Sequence, residues 1–118
     1  MRHLVRKSKL NKAKDHREAM LRTMVAQIIQ YESINTTQAK AKALLPLLDK
    51  IINTGKKKDV NAIRALHKVL YDDLAIKKVL EVLVDRYKER NSGYASTVKI
   101  GKRHGDNSEI VKVMLLED

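Results

Sequence analysis

The sequence predicts an α+β fold in which about four helices pack on a small, mainly antiparallel sheet. Apolar residues recur at helical spacing through residues 15–90. Two short β-favouring stretches, separated by a polar loop, follow in residues 94–117 and predict a C-terminal β-hairpin. A chain of 118 residues that is 43% apolar is about one domain with one core. We therefore expect one globular domain over residues 15–118, preceded by an extended basic arm over residues 1–14.

The arm, residues 1–14, carries cations and no acidic residue. It shows neither helical nor strand periodicity, so we expect a partner to order it. Its charged residues are Arg2, Arg6, Lys7, Lys9, Lys12 and Lys14. A segment without acids favours contact with phosphates over the alternative of a disordered solubilising tail, because mixed charge would serve solubility.

The first helix is predicted over residues 15–31. Asp15 is expected to cap it, because Glu18 follows three residues later as in a capping box. The apolar stripe of this helix contains Met20, Leu21, Met24, Val25, Ile28 and Tyr31. Residues 33–37 favour β structure and predict one edge strand.

Three further helices are predicted between the edge strand and the hairpin. The residues suited to begin them are Thr36 or Thr37 for the second, Asp59 for the third, and Asp72 with Asp73 for the fourth. Gly55 suits the C-terminal end of the second helix. The apolar stripes contain Ala41, Leu44, Leu45, Leu48, Ile51 and Ile52 in the second helix, Ile63, Leu66 and Leu70 in the third, and Ile76, Val79, Leu80, Leu83 and Tyr87 in the fourth.

The hairpin is predicted from two strands, residues 94–100 and 109–117, which flank a polar loop at residues 102–108. The cations near its tip are Lys99, Lys102 and Arg103. Cations on a protruding loop favour a phosphate contact, and the alternative is an ordinary polar turn. Tyr94, at the start of the first strand, fits either a core ring or a ring that packs on RNA.

Charge is the strongest functional signal in the sequence. Lys and Arg number 25 and Asp and Glu 14, so the formal net charge is +11. This excess favours a polyanionic partner, because neutralising phosphates releases bound counterions. His16, Arg17 and Arg22 follow the arm directly on the first helix. They fit either a helix end that faces phosphate or a solvated turn in which Glu18 pairs with Arg22.

Several classes of protein find no support in the sequence. It contains no cysteine, and its four histidines do not recur at the spacing that a metal site on a helix needs. Without a glycine-rich phosphate loop or a catalytic motif, we expect no enzyme activity, cofactor or small-molecule substrate. No apolar run approaches the roughly 20 residues that span a bilayer, so we expect no membrane partner and a location in the cytosol or an organelle matrix.

Short motifs along most of the chain match those of one known family. The matching residues are Met1, Arg2 and His3; Lys9 and Leu10; His16, Arg17, Glu18, Ala19, Met20, Leu21 and Arg22; Thr36, Thr37, Lys40, Ala41 and Lys42; Gly93 and Tyr94; and Gly105 and Asp106. With these motifs the sequence resembles the bacterial-type large-subunit ribosomal protein family that is seventeenth in its series. Around Tyr94 it departs from the family's pattern, since Ala95 and Ser96 stand where Thr and Arg are usual.

The resemblance implies a structural constituent of the large ribosomal subunit. Such a protein would bind the large ribosomal RNA near the outer end of the polypeptide exit tunnel, with neighbouring ribosomal proteins as partners, in the cytoplasm or an organelle matrix. From the motifs and the cationic clusters together, the residues expected to bind RNA are Arg2, His3, Arg6, Lys7, Lys9, Lys12, Lys14, His16, Arg17, Arg22, Lys40, Lys42, Tyr94, Lys99, Lys102 and Arg103.

The competing class is a small DNA-binding nucleoid or regulatory protein. Its third and fourth helices would then form a helix-turn-helix, which requires a basic recognition helix. The fourth helix is nearly balanced in charge, with Lys77, Lys78, Arg86, Lys88 and Arg90 against Glu81, Asp85 and Glu89. This balance disfavours the DNA-binding alternative.

Overall fold

The computed structural model describes residues 13–117, which form helices and one three-stranded sheet. The helices are Lys14–Tyr31 (α1), Gln38–Gly55 (α2), Val60–Val69 (α3), Asp73–Lys78 (α4) and Val84–Arg86 (α5), with a π-helical segment at Val79–Leu83. The strands are Ser33–Thr37 (β1), Ala95–Lys102 (β2) and Glu109–Leu115 (β3). α4, the π-helical segment and α5 form one continuous helical run, which we call the fourth helical run. The predicted α+β class with four helices is therefore confirmed.

The last strand in the chain, β3, lies in the middle of the sheet. Strand order is β1-β3-β2, and both pairings are antiparallel. Val111, Val113 and Leu115 alternate along β3 and are buried against the helices, as the period of two requires. The register of β2 against β3 shifts between Lys99 and Gly101 at a bulge. The predicted C-terminal hairpin and the predicted edge strand β1 are both confirmed.

Three of the predicted helix starts are confirmed by side chains that accept backbone N–H groups. Thr37 Oγ1 accepts from Lys40 at 3.4 Å. The carboxylate of Asp59 accepts from Ala62 at 2.7 Å, and that of Asp72 accepts from Leu74 at 2.9 Å. Each side chain satisfies a donor that the first helical turn leaves unpaired.

α1 begins within one residue of its predicted start, but the predicted cap at Asp15 is wrong. The helix begins at Lys14, after Ala13, which makes no capping bond through its side chain. Asp15 lies in the first turn, where its charge still favours the positive end of the helix dipole.

The core lies between the helices and the inner face of the sheet. Its largest fully buried side chains are Tyr87, Tyr94, Ile28, Ile29, Leu44, Leu48, Ile52, Leu66, Leu70, Leu83, Val25 and Val79. Two residues of the predicted stripes are exposed instead, Tyr31 and Ile63. Ile29 on α1 and Ala62 on α3 are buried in their place, so the predicted stripes of these two helices are each wrong at one position.

Gly55 ends α2 at a place where two elements approach closely. A Cβ atom at this position would lie 2.8 Å from Cγ1 of Val79 and 3.3 Å from Cγ2 of Val84. Carbon atoms prefer about 3.5–4.0 Å, so only glycine fits without movement of its neighbours. The sequence predicts glycine here as a helix terminator, and the structure shows a packing reason for it.

Glu32 joins the C-terminal end of α1 to the fourth helical run. It adopts a left-handed conformation with φ of 64°, which turns the chain from the helix into β1. Its carboxylate accepts hydrogen bonds from Arg86 at 2.6 Å and from Lys78 at 3.0 Å. These two cations lower the pKa of Glu32 from 4.5 to about 2.

Candidate nucleic-acid interface

A groove of about 530 Å³ lies among α1, α2 and the end of α3. Its charged residues are the cations Arg17, Arg22, Lys42 and Lys50 and the acid Glu18. Its apolar residues are Leu21, Ala43, Pro46, Leu47 and Val69. We call this surface the cationic groove. It brings together Arg17, Arg22 and Lys42, three of the residues expected from the sequence to bind RNA.

Helix geometry explains how α2 contributes its side of the cationic groove. Lys42, Pro46 and Lys50 follow one another at intervals of four residues, so they lie on one face of the helix. Lys50 was not among the residues expected from the sequence to bind RNA. The spacing of eight residues from Lys42 would have pointed to it, since two helical turns return a side chain to the same face.

The apolar residues of the groove are the rim of the core. Leu21, Leu47 and Val69 are half-buried and pack against the buried cluster. Beside them, Lys42 and Lys50 are exposed, and Arg17 and Arg22 are half-buried. The groove therefore offers both positive charge and apolar surface to a ligand.

Arg22 occupies a central place, because its contacts link the groove to the α3–α4 connection. Its guanidinium donates a hydrogen bond to the hydroxyl of Tyr71 and lies 5.6 Å from the centroid of that ring. Glu18 lies 3.9 Å away, one turn earlier on α1. This long, solvent-screened pair contributes little, so the cation stays available to a phosphate.

The remaining candidates near the groove are spread along two helices. Lys14 and His16 are exposed on the first turn of α1. Lys40 is half-buried on the first turn of α2, where its backbone N–H is used by the Thr37 cap, and it does not line the groove. The arm candidates Arg2, His3, Arg6, Lys7, Lys9 and Lys12 lie outside the described residues.

The hairpin tip keeps its cations exposed but pairs one of them internally. Lys99, Lys102 and Arg103 are all exposed. Arg103 donates two hydrogen bonds to Asp106, at 3.1 and 2.6 Å. This pairing lowers the pKa of the Asp106 carboxyl well below its usual range and raises that of Arg103. A phosphate at the tip would have to compete with Asp106 for Arg103.

Tyr94 is a core residue, which corrects its assignment to RNA binding. Its side chain is fully buried, with the ring centroid 5.1 Å from that of Tyr87. The hydroxyl accepts a hydrogen bond from Lys56 at 2.7 Å and donates one to Asn53. A ring enclosed in this way has no face left for a base or a ribose.

The described residues were also searched for a metal site and for a membrane-spanning helix. Within residues 13–117 no three His, Asp or Glu side chains are grouped so that they could hold a metal ion. No helix in this range is long and apolar enough to cross a membrane.

The fold and the cationic groove define a class of protein: a small, strongly basic α+β domain that presents several cations and one acid on a helical surface. Within this class the chain belongs to the family described as Ribosomal protein L17, whose sequence profile matches residues 20–116. It is therefore a structural ribosomal protein and not an enzyme. The resemblance noted from the motifs is confirmed, and the DNA-binding alternative is set aside.

Individual relatives agree over nearly the whole chain. The large ribosomal subunit protein bL17 of Hyphomonas neptunium is 43% identical over 117 residues, which cover 99% of this chain and 84% of that protein. Its counterpart in Endomicrobium trichonymphae is 41% identical over 109 residues, covering 92% of this chain and 93% of the relative. That of Syntrophus aciditrophicus is 39% identical over 118 residues, which cover 100% of this chain and 94% of the relative.

Proposed function

We propose that this protein is a structural constituent of the large ribosomal subunit that binds the large ribosomal RNA through the cationic groove. One observation carries the proposal: four cations from two helices converge on one groove that contains a single acid. The relatives are named as proteins of the large ribosomal subunit, which supports that subunit as the site of assembly. Membership of a ribosomal protein family supports ribosomal RNA as the polyanionic partner that the net charge of +11 favours.

The proposed contact is to the sugar–phosphate backbone. Arginine and lysine neutralise phosphates and release counterions, so affinity falls as salt rises. Lys14 and His16 are exposed on the first turn of α1, just before Arg17 of the groove in the chain. In the proposal the arm cations add contacts of the same kind, and Lys99, Lys102 and Arg103 of the hairpin form a second, weaker contact. The alternative location of the RNA contact is that hairpin alone.

The resemblance supports a finer location, near the outer end of the polypeptide exit tunnel in a cytoplasmic ribosome, next to other proteins of the large subunit. Crosslinking in intact subunits tests this location. A photoreactive group placed at Lys50 should capture ribosomal RNA, and one at the exposed Val82 on the fourth helical run serves as the comparison. Capture of no ribosomal RNA, or of RNA that lies far from the tunnel exit, would contradict it.

Binding can be tested by salt titration of affinity for a fragment of the large ribosomal RNA. Lys42→Gln with Lys50→Gln should reduce the slope of log affinity against log salt by about 1.4–1.8, at roughly 0.7–0.9 per phosphate contact. The matched control is Lys57→Gln with Lys77→Gln, which removes the same charge from exposed positions that do not line the groove. Equal slopes for the two variants would assign RNA binding to another surface.

Deleting residues 2–12 tests the arm separately. If three to five of its cations contact phosphate, the slope should fall by about 2–4. Denaturant unfolding of the truncated protein is the control, since α1 begins only at Lys14 and should remain intact. A truncated protein that retains the full slope would exclude the arm from RNA binding.

A further inference from the structure

Tyr71 is an exposed aromatic residue beside the cationic groove. The chain has four tyrosines and neither Phe nor Trp. Tyr87 and Tyr94 fill the core, whereas Tyr71 is 73% exposed and Tyr31 is 72% exposed. Tyr71 differs from Tyr31 because it contacts a cation of the groove, Arg22.

The groove continues past Arg22 into a second hollow of about 570 Å³. Arg22 and Val69 line both hollows, and Tyr71 lines the second. The surface therefore runs from Lys42 and Lys50, past the apolar rim of the core, to an open aromatic ring. A cationic track that ends at an aromatic platform is the arrangement that binds single-stranded nucleic acid.

The two ends of this surface carry opposite charge, which orients a bound nucleotide. Asp72 and Asp73 line the second hollow on the side of Tyr71, and they repel phosphate. Arg17, Lys42 and Lys50 lie in the first hollow and attract it. A nucleotide would thus place its backbone in the first hollow and its base at the Tyr71 end.

We propose that this composite surface binds an unpaired nucleotide of RNA, with the base stacked on Tyr71 and its backbone held by Arg17, Lys42 and Lys50. The inference rests on the proposed RNA-binding function and specifies which feature of the RNA is bound. A fully paired helix keeps its bases inside, so it would use the cations and leave Tyr71 and the apolar rim without a partner. A bulged or looped nucleotide uses all of them.

The test compares two RNA hairpins of about 16 base pairs, identical except that one contains a single unpaired 2-aminopurine. The full-length protein should bind the bulged hairpin more tightly, and the 2-aminopurine fluorescence should fall as the base stacks. Tyr71→Ala should weaken binding of the bulged hairpin by about 5- to 100-fold and leave the paired hairpin unchanged. Tyr71→Phe should bind nearly as the wild type does, because it keeps the ring.

Tyr31→Ala is the matched control, since Tyr31 has the same side chain and exposure but lines neither hollow. Circular dichroism checks that each variant is folded. Equal affinity for the two hairpins, or equal effects of Tyr71→Ala and Tyr31→Ala, would overturn the inference and leave the proposed function standing, with the groove binding RNA through its backbone alone. Failure to bind either hairpin or any fragment of the large ribosomal RNA would overturn both.

Discussion

Replacement of Gly55 by alanine should destabilise the protein, although alanine is the better helix former. The new Cβ would lie 2.8 Å from Val79 Cγ1, about 1 Å closer than carbon atoms prefer. Valine is stiff at χ1, so its methyl group gives way only if the π-helical segment moves. Overpacking of this kind costs about 1–3 kcal/mol. Relief of glycine's backbone entropy offsets about 0.5–1 kcal/mol, because Gly55 is not among the glycines with positive φ. The net loss should be about 1 kcal/mol, and at most about 2.5 kcal/mol.

A double-mutant cycle with Val79→Ala isolates this clash. Val79→Ala removes the methyl group that Cβ would meet, so Gly55→Ala in that background should be neutral or stabilise by up to about 1 kcal/mol. Denaturant unfolding of the wild type, both single variants and the double variant gives the four free energies of unfolding. A loss of the same size in both backgrounds would refute the packing explanation, and an increase in stability on the wild-type background would refute it outright.

Three other predictions follow from named contacts. Stability should fall as pH drops from about 5 toward 2, because the folded pKa of Glu32, about 2, lies below its ordinary 4.5. The stabilisation that ionised Glu32 gives the folded state is complete above about pH 4.5 and is lost progressively as pH falls to about 2. Its carboxylate is 39% exposed and therefore screened, so about 1–2 kcal/mol is expected, and denaturant unfolding of Glu32→Gln should show a flatter pH dependence. Leu48→Ala should cost about 2–5 kcal/mol of unfolding free energy, because Leu48 is fully buried; a changed salt slope of RNA binding would show that its effect is not confined to the core. Asp106→Asn should tighten RNA binding severalfold at low salt by releasing Arg103, and unchanged affinity in a salt titration would exclude the tip from the interface.

The sequence predicted those features of the fold that depend only on residues close together in the chain. The caps at Thr37, Asp59 and Asp72 depend on one side chain and the next backbone N–H groups, so the sequence contains the whole interaction. The burial of Ile29 in place of Tyr31 depends on where the sheet and the fourth helical run lie. Such tertiary placement is invisible to a periodicity that fixes only the spacing of a stripe.

The sequence predicted several residues of the site but not how they are arranged in space. Arg17, Arg22 and Lys42 were expected from charge and motifs, but their convergence needs the packing of α1 on α2. Tyr94 was expected at the surface as well as in the core, and only the buried hydroxyl contacts with Lys56 and Asn53 decide between these. The pairing of Arg103 with Asp106 within the tip likewise depends on the shape of the turn.

The order of the strands has a consequence for how the protein folds while it is being synthesised. The central strand β3 is translated after β1 and β2, and both of these pair with it rather than with each other. A growing chain that has not yet released residues 109–115 can form the α1–α2 hairpin but no part of the sheet. Pairing of Ser33 with Met114 also closes a loop of most of the domain, which makes this step slow. The nascent protein must therefore keep the apolar side of its helices from aggregating until β3 emerges, and only then does the core close.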